Sequence, residues 1–168
     1  AATATSVNGV TVSTTQIGPF AIGAASEVTN TLQPSFAAFA TLQENIAPGA
    51  FVDITFATEI FDQGGDFASP SFTAPVTARY QLNVNLYVTN LDTASAYFVR
   101  LNTSNRMWNV GSYDITKLSA DADPWTFVGS ILADMDAGDT AKMQIYQPAG
   151  AAQTDIGADS YFSGFLAH

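Results

Sequence analysis

The chain has no cysteine, and its single histidine, His168, is the last of 168 residues. The first absence excludes a disulfide framework and a thiolate metal site, while leaving the redox compartment open. The second means that a Ser-His-Asp relay or a histidine metal site would have to be built on a chain terminus. An enzyme is therefore the least expected class, and no catalytic residue, metal ligand or cofactor is assigned. Charge is scarce too: only 12% of residues are charged, with five Lys plus Arg against fifteen Asp plus Glu and a net charge of −10. Nucleic acid and anionic lipid both need Lys/Arg counter-charge, so neither is expected as a direct partner. No run of roughly 18 apolar residues exists, and no membrane-spanning helix is expected. The start, Ala1-Ala2-Thr3, lacks the basic and apolar regions of a secretory signal. An initial alanine is what trimming of a start methionine leaves, which gives the expectation of a complete small gene product.

What the chain does have is 47% hydrophobic residues, laid out in short alternating runs. The densest pattern spans residues 61–88. A Gly64-Gly65 turn leads to a short segment around Phe72, and beyond Pro75 the residues Tyr80, Leu82, Val84, Leu86 and Val88 recur at every second position. Side chains alternate faces along a strand, so these five form one apolar face, with Gln81, Asn83, Asn85 and Tyr87 on the other. Further strands are predicted at 36–40, 51–60, 96–102, 107–110, 125–132, 140–147 and 161–167, with an irregular loop over 113–124. In the strand at 96–102, Tyr97, Val99 and Leu101 share one face, and Phe98 and Arg100 share the other. About ten short strands at hairpin spacing argue for an all-β, antiparallel two-sheet sandwich.

Residues 1–33 differ in composition, being rich in Ala, Thr, Ser, Val, Gly and Asn, with Glu27 as the only charge. Asn8-Gly9 is a strong two-residue turn signal and predicts a small hairpin over 5–12, while Gly18-Pro19 and Gly23 break any longer element. The expected organisation is an N-terminal arm, 1–33, and one domain, 34–168. The arm is expected to dock onto a neighbouring subunit through Val7, Val10, Val12, Ile17, Phe20 and Ile22.

Three ordered segments carry a family resemblance. Phe72-Thr73-Ala74-Pro75-Val76-Thr77-Ala78-Arg79-Tyr80-Gln81-Leu82 is similar to the F-T-x-P-V-x-G-x-Y-x-F stretch of C1q/TNF-like domains, with Ala78 in place of the glycine and Leu82 in place of the last aromatic. Gly129-Ser130-Ile131-Leu132, followed by Gly138-Asp139-Thr140-Ala141-Lys142-Met143, resembles the family's S-G-x-x-x-L-x-x-x-G-D-x-V-x-L segment. Ser160-Tyr161-Phe162-Ser163-Gly164-Phe165-Leu166-Ala167 resembles its closing strand. Together these matches span 35–168, and they imply a C1q/TNF-like jelly roll that associates as a homotrimer. Tyr87, Phe98, Tyr161, Phe162 and Phe165 are the expected trimer seam.

The remaining polar clusters read as structural. Asp134, Asp136 and Asp139 resemble a calcium loop only superficially, because glycine is fifth rather than sixth and no Glu follows. In the related family this position is a tight Gly-Asp turn. Asp121 and Asp123 match no ligand motif, and Asn102-Thr103-Ser104, a glycosylation sequon, reads as a polar turn. Trp108, Tyr113 and Trp125 lie near predicted loops, where such rings stack on sugars, although in a sandwich they more often fill the core. A glycan on exposed loops is thus a further partner to test.

Neither Gly-X-Y triplets nor sustained heptads precede the domain, so no stalk is expected. The Ser6-Val7-Asn8-Gly9-Val10-Thr11 style resembles phage virion proteins. A trimer also suits the threefold positions of an icosahedral shell, and an acidic head suits a surface away from packaged DNA. The expectation is a capsid decoration (cement) protein on the outer surface of a tailed-phage virion, with the major capsid protein as partner. The alternative is a receptor- or glycan-binding head at a tail-fibre tip or on an extracellular surface.

Overall fold

The computed structural model describes residues 5–7, 10–12 and 33–167. The chain divides into a unit Ala1–Asn30 and a unit Thr31–His168. In the first, β1 (Thr5–Val7) pairs antiparallel with β2 (Val10–Val12), Val7 standing opposite Val10. That is the hairpin the Asn-Gly signal predicts, although Asn8 and Gly9 themselves lie outside the described residues. So do Ile17, Phe20 and Ile22 of the expected anchor.

The second unit consists of β3 (Ser35–Phe39), β4 (Phe51–Asp53), β5 (Thr58–Gln63), β6 (Phe67–Ala68), β7 (Ser71–Thr73), β8 (Ala78–Thr89), β9 (Ala96–Thr103), β10 (Met107–Asp114), β11 (Trp125–Met135), β12 (Thr140–Tyr146), β13 (Asp155–Ile156) and β14 (Tyr161–Leu166). They form two antiparallel sheets. The first runs β11-β8-β14-β3-β5, with β13 on β8; the second runs β10-β9-β12-β7-β6, with β4 on β12. Neighbours in sequence repeatedly part to opposite sheets, so each layer is built from distant segments.

Alternation decides which side chains meet between the layers. In β8 the even-numbered residues Tyr80 to Val88 are buried and the odd-numbered ones half-buried, as the period-2 pattern predicts. The interior is dominated by rings. Phe36 lies between Phe67 and Phe72, at 4.8 Å from each, and meets Phe162 edge-on at 5.0 Å. Each fully buried ring contributes roughly 1.5–3 kcal/mol through removal from water. Gly164 allows this stacking, since a Cβ there would approach the Phe36 ring to 2.8 Å and a Leu82 methyl to 2.6 Å.

Four sequence expectations change. Residues 51–60 are not one strand: β4 belongs to the second sheet and β5 to the first. Between them Ile54 and Phe56 are fully buried, so the apolar positions mark a crossing through the core. β10 extends to Asp114, which puts Tyr113 opposite Tyr97 in a strand, outside the expected loop. Phe162, expected in a trimer seam, is fully buried inside the sandwich, because its strand neighbours Ala38 and Val84 also face inward. Phe98 lies on the second sheet, whereas Tyr87, Tyr161 and Phe165 lie on the first, so the expected seam residues do not share one surface.

Candidate functional site

Two outer sheet faces carry the chemistry available to this fold. On the first sheet, Tyr161 and Phe165 point out of β14, and Phe39 of β3 stands opposite Tyr161 with ring centroids 6.0 Å apart. Phe61 lies beyond Ala37 on β5, and Val128 and Leu132 project from β11. Val128 is 69% exposed, and Phe61, Leu132, Phe165 and Phe39 are also exposed. Among the half-buried polar residues between them, Gln81 donates to Ser130 Oγ (2.7 Å), which donates to Asn83 Oδ1 (2.8 Å). The result is an apolar surface crossed by a polar strip in which Gln81, Ser130 and Asn83 bond one another, while Asn85 Oδ1, next along β8, is buried without a hydrogen-bond partner among the described residues. Large exposed apolar surface of this kind marks an interaction face.

The second sheet's outer face has different chemistry. Register places Phe98 opposite Tyr146 and Arg100 opposite Gln144, while β4 sets Phe51 opposite Tyr146 and Asp53 opposite Gln144. Phe51 and Phe98 flank Tyr146, with centroids 4.8 and 5.8 Å away. The Arg100 guanidinium lies 3.4 Å over the Phe51 ring, a cation-π contact. Its Nε donates to Gln144 Oε1 at 2.7 Å, and one Nη donates to Met107 Sδ at 2.9 Å. Gln144 Nε2 donates to Asp53, whose other oxygen accepts from Lys142 Nζ at 2.7 Å. Burial pushes the Asp53 carboxyl up, but hydrogen bonds from Lys142 and Gln144 and the charges of Lys142 and Arg100 outweigh it and hold the group below its ordinary value of 3.8. A hollow of about 200 Å³ opens beside this cluster, lined by Phe51, Phe98, Arg100, Met107 and Asn109.

The acidic residues that drew attention in the sequence have protein partners. Asp139 Oδ2 accepts from the Asp136 amide (2.8 Å) and from Asn105 Nδ2 (2.6 Å), closing the turn at Gly138 (φ +92°). Asp134 pairs with Arg106 at 2.6 Å. Asp121 accepts from the Thr93 amide, the Gln153 side chain and the Thr93 hydroxyl, and these hold its carboxyl below the ordinary value. Among the described residues, no group of three or more acidic or histidine side chains is placed to hold a metal ion. The candidate aromatics pack on neighbouring side chains, Trp108 and Trp125 half-buried and Tyr113 still exposed. Tyr113 meets Trp125 and Phe127 edge-on at 5.6 and 5.0 Å, and Trp108 is half-buried opposite Leu101.

Sequence reasoning placed Phe98 and Arg100 together on an outward face, and the structure keeps them there. It missed Phe51, Asp53, Gln144 and Tyr146 as their companions. No local signal marks those four, because only the pairing of β12 with β9 and β4 brings them together.

No family model matches the chain, and no curated protein does. Solved structures do resemble it. The globular domain of zebrafish complement 1qA protein matches with a TM-score of 0.55 at 15% identity, covering 81% of this chain and 98% of that one. Two structures of murine APRIL, at pH 8.5 and pH 8.0, match with TM-scores of 0.53 at 8% and 11% identity, each covering 80% of this chain and 98% of its own. The architecture is thus a C1q/TNF-like jelly roll. At these identities the likeness is one of fold.

Proposed function

We propose that this jelly roll is a non-enzymatic structural protein that forms a homotrimer through the apolar outer face of its first sheet and decorates the outside of a tailed-phage capsid. The observation that carries the reading is that face, where Phe39, Phe61, Val128, Leu132, Tyr161 and Phe165 are all exposed. In a closed ring each contact is heterologous, so the apolar face of one copy packs against a different patch of the next. The edges of β10 and β11, which end their sheets and have no strand paired on the outer side among the described residues, supply such a patch, since an unpaired edge strand invites pairing or burial. C1q/TNF-like domains are commonly homotrimeric, which supports the same arrangement. For the capsid role, support comes from the acidic head, which carries all but one of the fifteen Asp and Glu residues of a chain with a net charge of −10, and from the low-charge arm, 1–33, which can add strands to the major capsid protein. Sedimentation equilibrium tests the trimer, and incubation with capsids lacking the protein tests the role. A trimer that binds such capsids is the expected result. A monomer at micromolar concentration removes the first part, and a trimer found only at a tail tip removes the second.

A further inference from the structure

The outer face of the second sheet holds a cation that the fold immobilises without neutralising. Arg100 takes part in neither of the ion pairs formed among the described residues, Arg106–Asp134 and Lys142–Asp53. Its plane is fixed from three directions: by the Phe51 ring beneath, by Gln144 at Nε and by Met107 at one Nη. The other Nη has no hydrogen-bond partner among the described residues. Asp53 is the nearest compensating charge in this chain of contacts, and it is bound to Lys142. Lys142, Asp53 and Arg100 together therefore keep one positive charge, on a chain whose net charge is −10. A guanidinium with a free Nη donates a charge-assisted hydrogen bond to a carboxylate of opposite charge, and one already held in place loses little freedom on binding.

The surroundings narrow the ligand. The hollow beside Arg100, about 200 Å³, is below the range of roughly 300–1,000 Å³ typical of drug-sized ligands and suits a single six-membered ring. Phe98 offers an apolar wall. Asn109 donates through Nδ2 to Ser112 Oγ at 2.8 Å, leaving its Oδ1 to accept from a hydroxyl. The site lies on the face of β9, whose two edges are occupied by β10 and β12. Main-chain pairing with a peptide is thus unavailable there.

We propose that this hollow binds a carboxylated sugar ring, a uronate whose carboxylate accepts from the free Nη of Arg100, whose ring lies against Phe98 and whose hydroxyl donates to Asn109. The site lies on the sheet opposite the apolar face assigned to the trimer, on the outer side of β9 and β10 rather than at the open edge of β10, and it stands whether or not the protein decorates a capsid. The test is a titration of the ¹⁵N-labelled full chain with methyl glucuronide and, separately, with the neutral methyl glucoside. The expected result is saturable shifts centred on Phe98, Arg100 and Asn109 with the glucuronide, with the glucoside weaker by roughly tenfold or more. Arg100→Gln is expected to lower glucuronide affinity by a similar factor, and Phe98→Ala to lower affinity less. The comparison of charged and neutral sugars needs no variant, so it holds even where Arg100→Gln perturbs folding. Equal binding of the two sugars, no saturation up to about 50 mM, or tighter binding of benzoate at the same residues would each overturn the proposal.

Discussion

At Asp53, one carboxylate ties the outer face of the second sheet together. It accepts from Lys142 and Gln144, and Gln144 in turn fixes Arg100. Because its folded-state pKa lies below the ordinary 3.8, the stability it contributes is fully present above that value and is lost as pH falls through the lower folded one. Asp53→Asn is expected to flatten the fall of melting temperature below about pH 4 while changing little at pH 7 beyond the loss of a partly exposed ion pair. Thermal melts of both proteins from pH 7 to pH 2.5 check this, and parallel curves would show that Asp53 contributes no pH dependence. The alternation in the sequence already puts Phe98 and Arg100 on one side of their strand. What they face, and that Asp53 is near, depends on two strands drawn from residues 51–53 and 140–146.

At the scale of the strand, the informative element is β14. Its inward Phe162 closes the aromatic cluster, while outward Tyr161 and Phe165 belong to the exposed apolar face. A one-residue change of register would exchange the two sets, so the closing strand specifies core and surface at once. Phe165→Lys together with Val128→Lys is expected to leave a folded domain, because each replaces an exposed side chain at a cost of roughly 1 kcal/mol or less. In the proposed trimer the same pair buries charge at each contact and shifts the species toward monomer by tenfold or more in dissociation constant. Sedimentation equilibrium with a parallel circular-dichroism spectrum reads both outcomes; an unchanged trimer would move the contact elsewhere. The strands were legible because a half-buried sheet imposes period 2 on the chain. The break between β4 and β5 was not, since Ile54 and Phe56 keep that period while the backbone passes from one sheet to the other.

For the whole molecule, the proposed anchor is separable from the head. Residues 1–30 and 31–168 form distinct units, and among the described residues every ring of the aromatic core comes from Phe36 onward. Deleting residues 1–33 is expected to leave a folded trimer that no longer binds capsids. Three arms acting together convert a weak individual contact into a stable one through effective concentration. Capsid pull-down with intact and truncated proteins checks this, and full decoration by the truncated trimer would place the anchor on the head.

By itself, the sequence determined the all-β architecture, the pairing of residues 5–7 with 10–12 and the inward faces of the long strands. These follow from interactions between residues close in the chain: side-chain alternation, turn geometry and the scarcity of charge. The tertiary structure alone decided that Phe162 is core, that Phe98 and Tyr87 look out from different sheets, and that Arg100 meets Phe51, Gln144 and Met107. Each of these depends on which strands become neighbours. Arg100 and Gln144 are brought within 2.7 Å from positions 44 residues apart. Backbone pairing accommodates many side chains at any one position, so a local pattern fixes the face a residue presents and leaves its cross-strand partner to the packing of the whole chain.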